Sequence, residues 1–405
     1  MKKIKEMKIK ISFILIALST IFLFEACKVG PSFKTQRTEI DSTAVYRYDS
    51  IQLAMTDSVL NISWWELFDD PILADLIEIG LEENKDALIA SSRIDQAMAQ
   101  LGFTKADMGP KIGYNISAQR GNVIAGAPTQ GFEASNIFTG FGTLSWELDF
   151  WGKFRRANEA ARAELVATEY GQRTVQIGLI SAIATTYYQL LDFQWREYIS
   201  KKTLELRQAS LNIIQARYDS GIVAEIDLNQ AQIQRAIAAA AVPLFQRSIA
   251  QTENALGILL GRSPGPITTG VELSEQQLPP DIPVGLPSML MERRPDILQV
   301  EALLHAQTAR IGVAVAQRFP SISLTGLLGV ASNDISTLTS NPAAFAIGGI
   351  VLGHLFEYGK NKRRVEVVRK ITEQVLYEYE RTVITAFQEV EDDLVAISTL
   401  KEERQ

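Results

Sequence analysis

Two Gly-Lys pairs, Gly152-Lys153 and Gly359-Lys360, come closest in this chain to a phosphate-binding loop. Such a loop needs a Gly five residues before the paired one and a Ser or Thr after the Lys, so that backbone amides cradle phosphate and a hydroxyl meets the metal. Glu147 and His354 occupy the first position, and Phe154 and Asn361 the second, so the motif is absent. His305 and His354 are the two histidines and Cys27 the single cysteine. With no partner at ligand spacing they make no zinc site, and both histidines read as structural. No nucleophile, base and oxyanion donor come together in the pattern. The chain is expected to be no enzyme and to hold neither cofactor nor metal.

Cys27 is the residue whose chemistry the pattern does define. Residues 2–10 hold five Lys and one Glu, residues 11–24 are fourteen uncharged and mostly apolar residues, and Glu25-Ala26 precede the cysteine. This reads as a signal peptide over residues 1–26, too short and wrongly flanked for a spanning helix. A small residue followed by Cys at the cleavage point resembles a bacterial lipobox, although Phe24 and Glu25 depart from it. Cys27 then becomes the lipidated N-terminus, with acyl chains such as palmitate each contributing about 0.8 kcal/mol per buried methylene. Lys28 follows, where Asp is the usual inner-membrane retention signal, and this points to the outer membrane.

The elements that must position these residues are written twice. Slid by 210, Asp86 falls on Asp296, Leu88 on Leu298, Ala99 on Ala309, Gly102 on Gly312, Ala106 on Ala316 and Pro110 on Pro320. Each copy reads as helix, Pro, strand, loop, strand, Gly-Lys and basic helix start. The second loop is three residues shorter, so Gly152-Lys153 falls on Gly359-Lys360 at an offset of 207. A repeat of this kind sets the architecture before any local motif.

An arm (27–71) leads to a helix (72–109), the first hairpin (110–151), a long helical hairpin (152–260), a linker (261–287), a second helix (288–319), a second hairpin (320–358) and a last helix (359–405). In the first hairpin Ile112, Tyr114, Ile116 and Ala118 alternate with Gly113, Asn115, Ser117 and Gln119; on the return, Leu144, Trp146, Leu148 and Phe150 alternate with Thr143, Ser145, Glu147 and Asp149. Apolar outside and polar inside is the pattern of a transmembrane barrel strand. The second hairpin, Ser321–Thr325 and Ile347–Phe356, alternates less clearly. From Lys153 to Tyr218 the pattern is helical without interruption, at coiled-coil length. Asp219-Ser220-Gly221 breaks it, and a helix returns from Glu225 to Leu260. Four strands are too few to close a sheet in one chain, so an assembly is implied. Net charge is −7, and no nucleic-acid partner is expected.

The ordered set of Cys27-Lys28-Val29-Gly30-Pro31, Trp64-Trp65 with Asp70-Pro71, Asp149-Phe150-Trp151-Gly152-Lys153, Arg217-Tyr218 with Gly221, Arg293-Arg294-Pro295-Asp296-Ile297, Arg318-Phe319-Pro320-Ser321 and Ala386-Phe387 with Glu389-Val390-Glu391-Asp392 resembles the outer-membrane factors of tripartite efflux and secretion systems. These are the TolC- and OprM-like proteins, in particular their NodT lipoprotein subgroup. The resemblance implies a mainly α fold with a transmembrane β-barrel part, in a homotrimer. Four strands from each of three chains make a twelve-stranded barrel, and the helices form a coiled-coil α-barrel tunnel in the periplasm. It implies an outer-membrane lipid setting, a periplasmic adaptor (membrane fusion) protein and an inner-membrane pump of the RND type. Small-molecule efflux is favoured over type I protein secretion; a lipid-anchored helical scaffold without a pore is the reading from another class. The family continues with a second Arg-Tyr-x-x-Gly turn and returning helix, so the sequence is expected to be truncated within its second repeat.

The resemblance also assigns candidate residues. The turn at 217–227 becomes the periplasmic tip, with Arg217, Tyr218, Gly221, Ile222, Val223 and Ala224 meeting the adaptor and Glu225 and Asp227 forming an acidic entrance collar. The clusters Lys153, Arg155, Arg156 and Lys360, Lys362, Arg363, Arg364 fit the periplasmic rim of the barrel, where long cationic side chains snorkel to the interface.

Overall fold

The duplication seen in the sequence is built into the backbone residue for residue. Helix α2 (Lys85–Ala106) and helix α5 (Pro295–Ala316) have 22 residues each and are offset by 210 at both ends. The strands that follow, β1 (Lys111–Gly121) and β3 (Ser321–Ser332), start at the same offset. Helices α3 (Lys153–Asp219) and α6 (Lys360–Glu403) start at an offset of 207. Before each lies a glycine at φ +77°, Gly152 and Gly359, a left-handed conformation that glycine adopts without a Cβ penalty. The computed structural model describes residues 28–35, 65, 68–124, 127–128, 134–276, 291–340 and 342–403. The signal peptide, Cys27, most of the arm and residues 277–287 of the linker lie outside the described residues.

Helix α1 (Pro71–Glu83) starts on Asp70, whose carboxylate accepts from the amides of Ile72 at 3.0 Å and Leu73 at 3.2 Å, and Pro71 suits the first turn. One helix from 72 to 109 was the sequence expectation; there are two. Asn84 turns the chain with ψ 132°. Its Oδ1 accepts from the amides of Asp86 (2.8 Å) and Ala87 (3.1 Å), capping α2, while its Nδ2 donates to the Leu259 carbonyl at 2.8 Å.

The sheet runs β1, β2 (Ser135–Leu148), β3, β4 (Ala344–Leu352), all antiparallel. Its register sets Ile112 opposite Leu144, Trp146 opposite Leu324 and Ile322 opposite Val351. One face is therefore apolar across all four strands. The other carries Asn115, Ser117, Thr139, Ser145, Ser323 and Thr325, with Ser117 Oγ 2.8 Å from Thr139 Oγ1. Ile112, Tyr114 and Ile116 are 84%, 85% and 78% exposed, a cost of roughly 25 cal/mol per Å² in water that a lipid environment removes. The return strand of the second hairpin ends at Leu352, short of the expected Phe356.

The chain divides into two units. The first (Met1–Ile40, Asp95–Thr168, Ile297–Phe387) holds the sheet and a helical cluster of Ile297, Tyr379, Val383 and Ala386. In the second (Asp41–Ile94, Glu169–Asp296, Gln388–Gln405), helix α4 (Glu225–Leu259) returns against α3, and Leu73, Ile77, Ile183, Leu190, Leu256 and Leu260 form the core. There Tyr187 donates to Asp70 Oδ2 at 2.8 Å and accepts from the Gly270 amide at 3.0 Å, and Gln276 donates to the same carboxylate at 2.9 Å. Burial pushes the neighbouring Tyr188 phenol up to about 12, with the Asp70 charge adding to it. The first part of the expected linker is packed, not free: a Cβ on Gly261, at φ +69°, would lie 2.2 Å from the Glu83 carbonyl oxygen.

Replacing Asn84 by Ala removes a cap and orphans the Leu259 carbonyl. The expected loss is about 1–2 kcal/mol, read as a lower thermal midpoint of the detergent-solubilised protein, with Asn84→Asp restoring the cap but not the bond to Leu259.

Candidate functional site

Two places carry the singled-out residues, each within one unit. The first is the junction where β2 turns into α3. Asp149 caps the helix, accepting from the amides of Phe154 (3.0 Å) and Arg155 (2.9 Å), and also accepts from Arg155 Nε at 3.2 Å. Lys153 pairs with Glu147 at 2.5 Å. Trp151 donates from its indole to the Pro320 carbonyl at 2.8 Å and stacks on Phe319 at 4.6 Å.

Arg156 corrects the sequence expectation. It does not snorkel; it is 1% exposed. Its Nε donates to the Val29 carbonyl at 3.2 Å, one Nη to the Gly30 carbonyl at 3.0 Å and the other to Glu159 at 3.1 Å. A buried guanidinium is tolerable only when paired and hydrogen-bonded in this way. The clamp needs space on the opposite helix: a Cβ on Gly312 would come within 2.8 Å of the Arg156 side chain, and one on Gly30 (φ +94°) within 2.5 Å of Gly312 Cα. Glu159 also pairs with Lys28 and lies 3.3 Å from His305 Nε2, whose ring stacks on Phe33 at 4.6 Å. Burial works against ionisation of Glu159, yet the hydrogen bonds from Lys28 and His305 and the charge of Arg156 hold its carboxyl below the ordinary value. The segment after Cys27 is thus pinned to the end of the sheet, with Lys28 against Gly152. Sequence reasoning missed this use of Arg156; the repeated glycine at 102 and 312 was the signal available.

The matching cluster at α6 is more open. Arg363 pairs with Glu366 at 2.7 Å and is exposed. Arg364 donates to Gln317 (3.2 Å) and Asn361 (3.1 Å). Lys360 lines, with Glu147, Lys153, His354 and Glu357, a cavity of about 520 Å³. Lys362 is exposed. Among the described residues no group of His, Cys, Asp and Glu could hold a metal ion, and no helix is long and apolar enough to cross a membrane.

The second place is the turn between α3 and α4. The amide of Gly221 (φ +71°) donates to the Tyr218 carbonyl at 2.8 Å and that of Ile222 to the Arg217 carbonyl at 2.9 Å, the paired bonds of a Schellman end. Ala224 begins α4 without a side-chain cap, and Glu225 and Asp227 in the first turn offset the helix dipole instead. Ile222 and Ile226 are 72% and 74% exposed. The turn presents an apolar, preorganised surface and no reacting group.

A sheet with one apolar face and open edges, joined to long antiparallel helices, defines a subunit of an outer-membrane channel. The sequence profile of the family described as outer membrane efflux protein matches residues 76–262 and 286–405, and the chain belongs to that family. It is 30% identical over 395 residues to the probable efflux pump outer membrane protein TtgC of Pseudomonas putida, covering 95% of this chain and 81% of that one. It is 29% identical over 399 residues to the probable outer membrane lipoprotein SilC of Salmonella typhimurium, covering 96% and 84%. The crystal structure of the CmeC outer membrane channel of Campylobacter jejuni superposes with a TM-score of 0.82 at 27% identity, covering 93% of this chain and 81% of that one. The protein is therefore an outer-membrane efflux channel component, mainly helical with a four-stranded antiparallel sheet.

Because the Glu159 pKa is lowered in the folded chain, its stabilisation of the arm is complete above the ordinary carboxylate pKa and lost as pH falls through the lowered one. Limited proteolysis between Lys28 and Thr35 is expected to accelerate on acidification below the ordinary Glu range. Glu159→Gln is expected to cleave fast at neutral pH and to lose the pH dependence.

Proposed function

We propose that three copies of the chain close their sheets into one twelve-stranded barrel (four strands from each), giving a passive conduit through the outer membrane. The observation that carries this is the four-stranded sheet with an apolar face, whose edges at β1 and β4 pair with no further strand among the described residues. A bilayer tolerates no such edge, so closure with other copies is the way to satisfy it. The helical hairpin of α3 and α4 is the periplasmic part of the conduit, a reading supported by the likeness of the chain to the CmeC outer membrane channel.

Cys27 carries the lipid anchor. The pinning of Lys28, Val29 and Gly30 beside the strand ends at the β2–α3 junction supports this, since a lipid carried just before them has to lie at the bilayer boundary. The likeness to SilC, named as a lipoprotein, supports it further. The turn at Arg217, Tyr218, Gly221, Ile222, Val223 and Ala224 is the dock for a periplasmic adaptor, and Glu225 and Asp227 narrow the entrance. An inner-membrane pump of the RND type supplies the energy. The transported class is small molecules, in keeping with relatives named for toluene and antibiotic efflux.

The test is accumulation of a fluorescent small-molecule substrate by cells of the native host. Deleting the gene is expected to raise accumulation and the wild-type gene to reverse it. Ile222→Asp, on an exposed side chain of the turn, is expected to leave outer-membrane abundance unchanged and to fail to reverse it. Full reversal by that variant would remove the turn from the docking surface. Separately, Cys27→Ser is expected to remove the acyl mass from the intact protein; an unchanged mass would contradict lipidation.

A further inference from the structure

Below the first hairpin, the end of α2 and the start of α3 leave between them a groove of about 580 Å³. Leu101 and Met108 of α2 and Val166 of α3 give it an apolar floor. Lys28, Lys105, Arg155 and Arg162 set four cations on it against the one carboxylate of Glu159. Two of these cations are engaged, Lys28 with Glu159 and Arg155 with Asp149. Lys105 and Arg162 are exposed and have no carboxylate partner among the described residues. Unmatched positive charge beside an apolar floor suits an anion that carries an apolar part.

The duplication writes the groove a second time. At the offset of 207, Arg155, Glu159 and Arg162 of α3 fall on Lys362, Glu366 and Arg369 of α6; at 210, Met108 falls on Arg318. All four counterparts line a second groove, of about 590 Å³, below the second hairpin. Arg318, Lys362 and Arg369 are exposed and again lack a carboxylate partner among the described residues, whereas Arg363 and Lys370 beside them pair with Glu366 and Glu373. The positive charge is common to both copies and the apolar floor is not, since Glu373 stands where the first groove has Val166. The first groove is therefore the tighter site.

Trp146 sets the depth of the first groove. It belongs to the apolar face of the sheet, and its indole donates to the Met108 carbonyl at 2.8 Å, while Met108 lines the groove. The groove thus opens directly below the face that lipid covers, at the level where an interfacial tryptophan sits. We propose that the two grooves hold the anionic headgroups of phospholipids from the periplasmic leaflet of the outer membrane. Lys105 and Arg162 take the phosphate in the first groove, with the glycerol and the first methylenes over Leu101, Met108 and Val166; Lys362 and Arg369 take it in the second. Basic pockets beside membrane-spanning segments recognise such headgroups elsewhere. The proposal rests on the apolar face of the sheet meeting lipid, and it adds a fixed shell of lipid at the level where the strands end.

The test is native mass spectrometry of the full chain, extracted from outer membranes in neutral detergent and mixed with phosphatidylglycerol, phosphatidylcholine or glycerol phosphate. Retention of phosphatidylglycerol over phosphatidylcholine, at up to two per chain, is expected. Arg162→Gln is expected to weaken the tighter site about fivefold, the worth of one Lys or Arg at an anionic surface, and Arg162→Gln with Arg369→Gln to weaken both, with helical circular dichroism unchanged. Arg207→Gln, far along α3, is expected to change neither. Equal retention of the two lipids overturns the proposal, as does a preference that survives the double substitution. Glycerol phosphate held as tightly as phosphatidylglycerol gives the grooves to a soluble phosphate and removes the lipid. Quenching of tryptophan fluorescence by brominated phosphatidylcholine in vesicles, reduced in Trp146→Phe, checks the lipid-facing reading separately. No quenching defeats that reading; quenching without headgroup preference defeats the grooves alone.

Discussion

An antiparallel sheet with free edges cannot rest in hydrocarbon, because every unpaired amide and carbonyl there goes unsatisfied. That constraint governs this chain. The sheet carries an apolar face that water disfavours and two edges that lipid disfavours. Only pairing with further strands answers both, and the duplicated chain offers matching edges to further copies of itself.

The transition from sheet to helix is where the fold concentrates its specific contacts. Gly152 and Gly359 turn the chain at a φ open to glycine. At the first turn, the Arg156 guanidinium joins α3, the segment after Cys27 and the glycine face of α5 in one buried polar knot. The knot holds the strand ends and residues 28–30 in a fixed relation. A channel needs a stable wall, and the exposed isoleucines of the α3–α4 turn are the proposed docking surface for a partner.

Much of this was legible in the residues. The offset of 210 appeared as identical residues and returned as identical element bounds, because helix starts and strand starts are set locally by Pro, Gly and alternation. The long helix and its Gly221 stop were legible for the same reason. Three features were not. Asn84 interrupts a periodic helix, but its decisive partner, the Leu259 carbonyl, lies 175 residues away. Arg156 looked like one more cation in a basic cluster, since its burial depends on a segment 126 residues earlier. The second hairpin's return strand was expected to run to Phe356 but stops at Leu352, because an edge strand is only as long as the strand beside it.

The most direct measurement is amide hydrogen exchange of Lys111–Gly121 and Ala344–Leu352 in protein held in its native outer membrane. Half of these amides pair with β2 or β3 inside the chain, and the alternate half point to the open edges. A closed barrel requires slow exchange at every one of them. An alternating pattern, with the edge-facing amides exchanging as fast as an unpaired strand, would contradict closure and leave the sheet without the neighbours on which the channel depends.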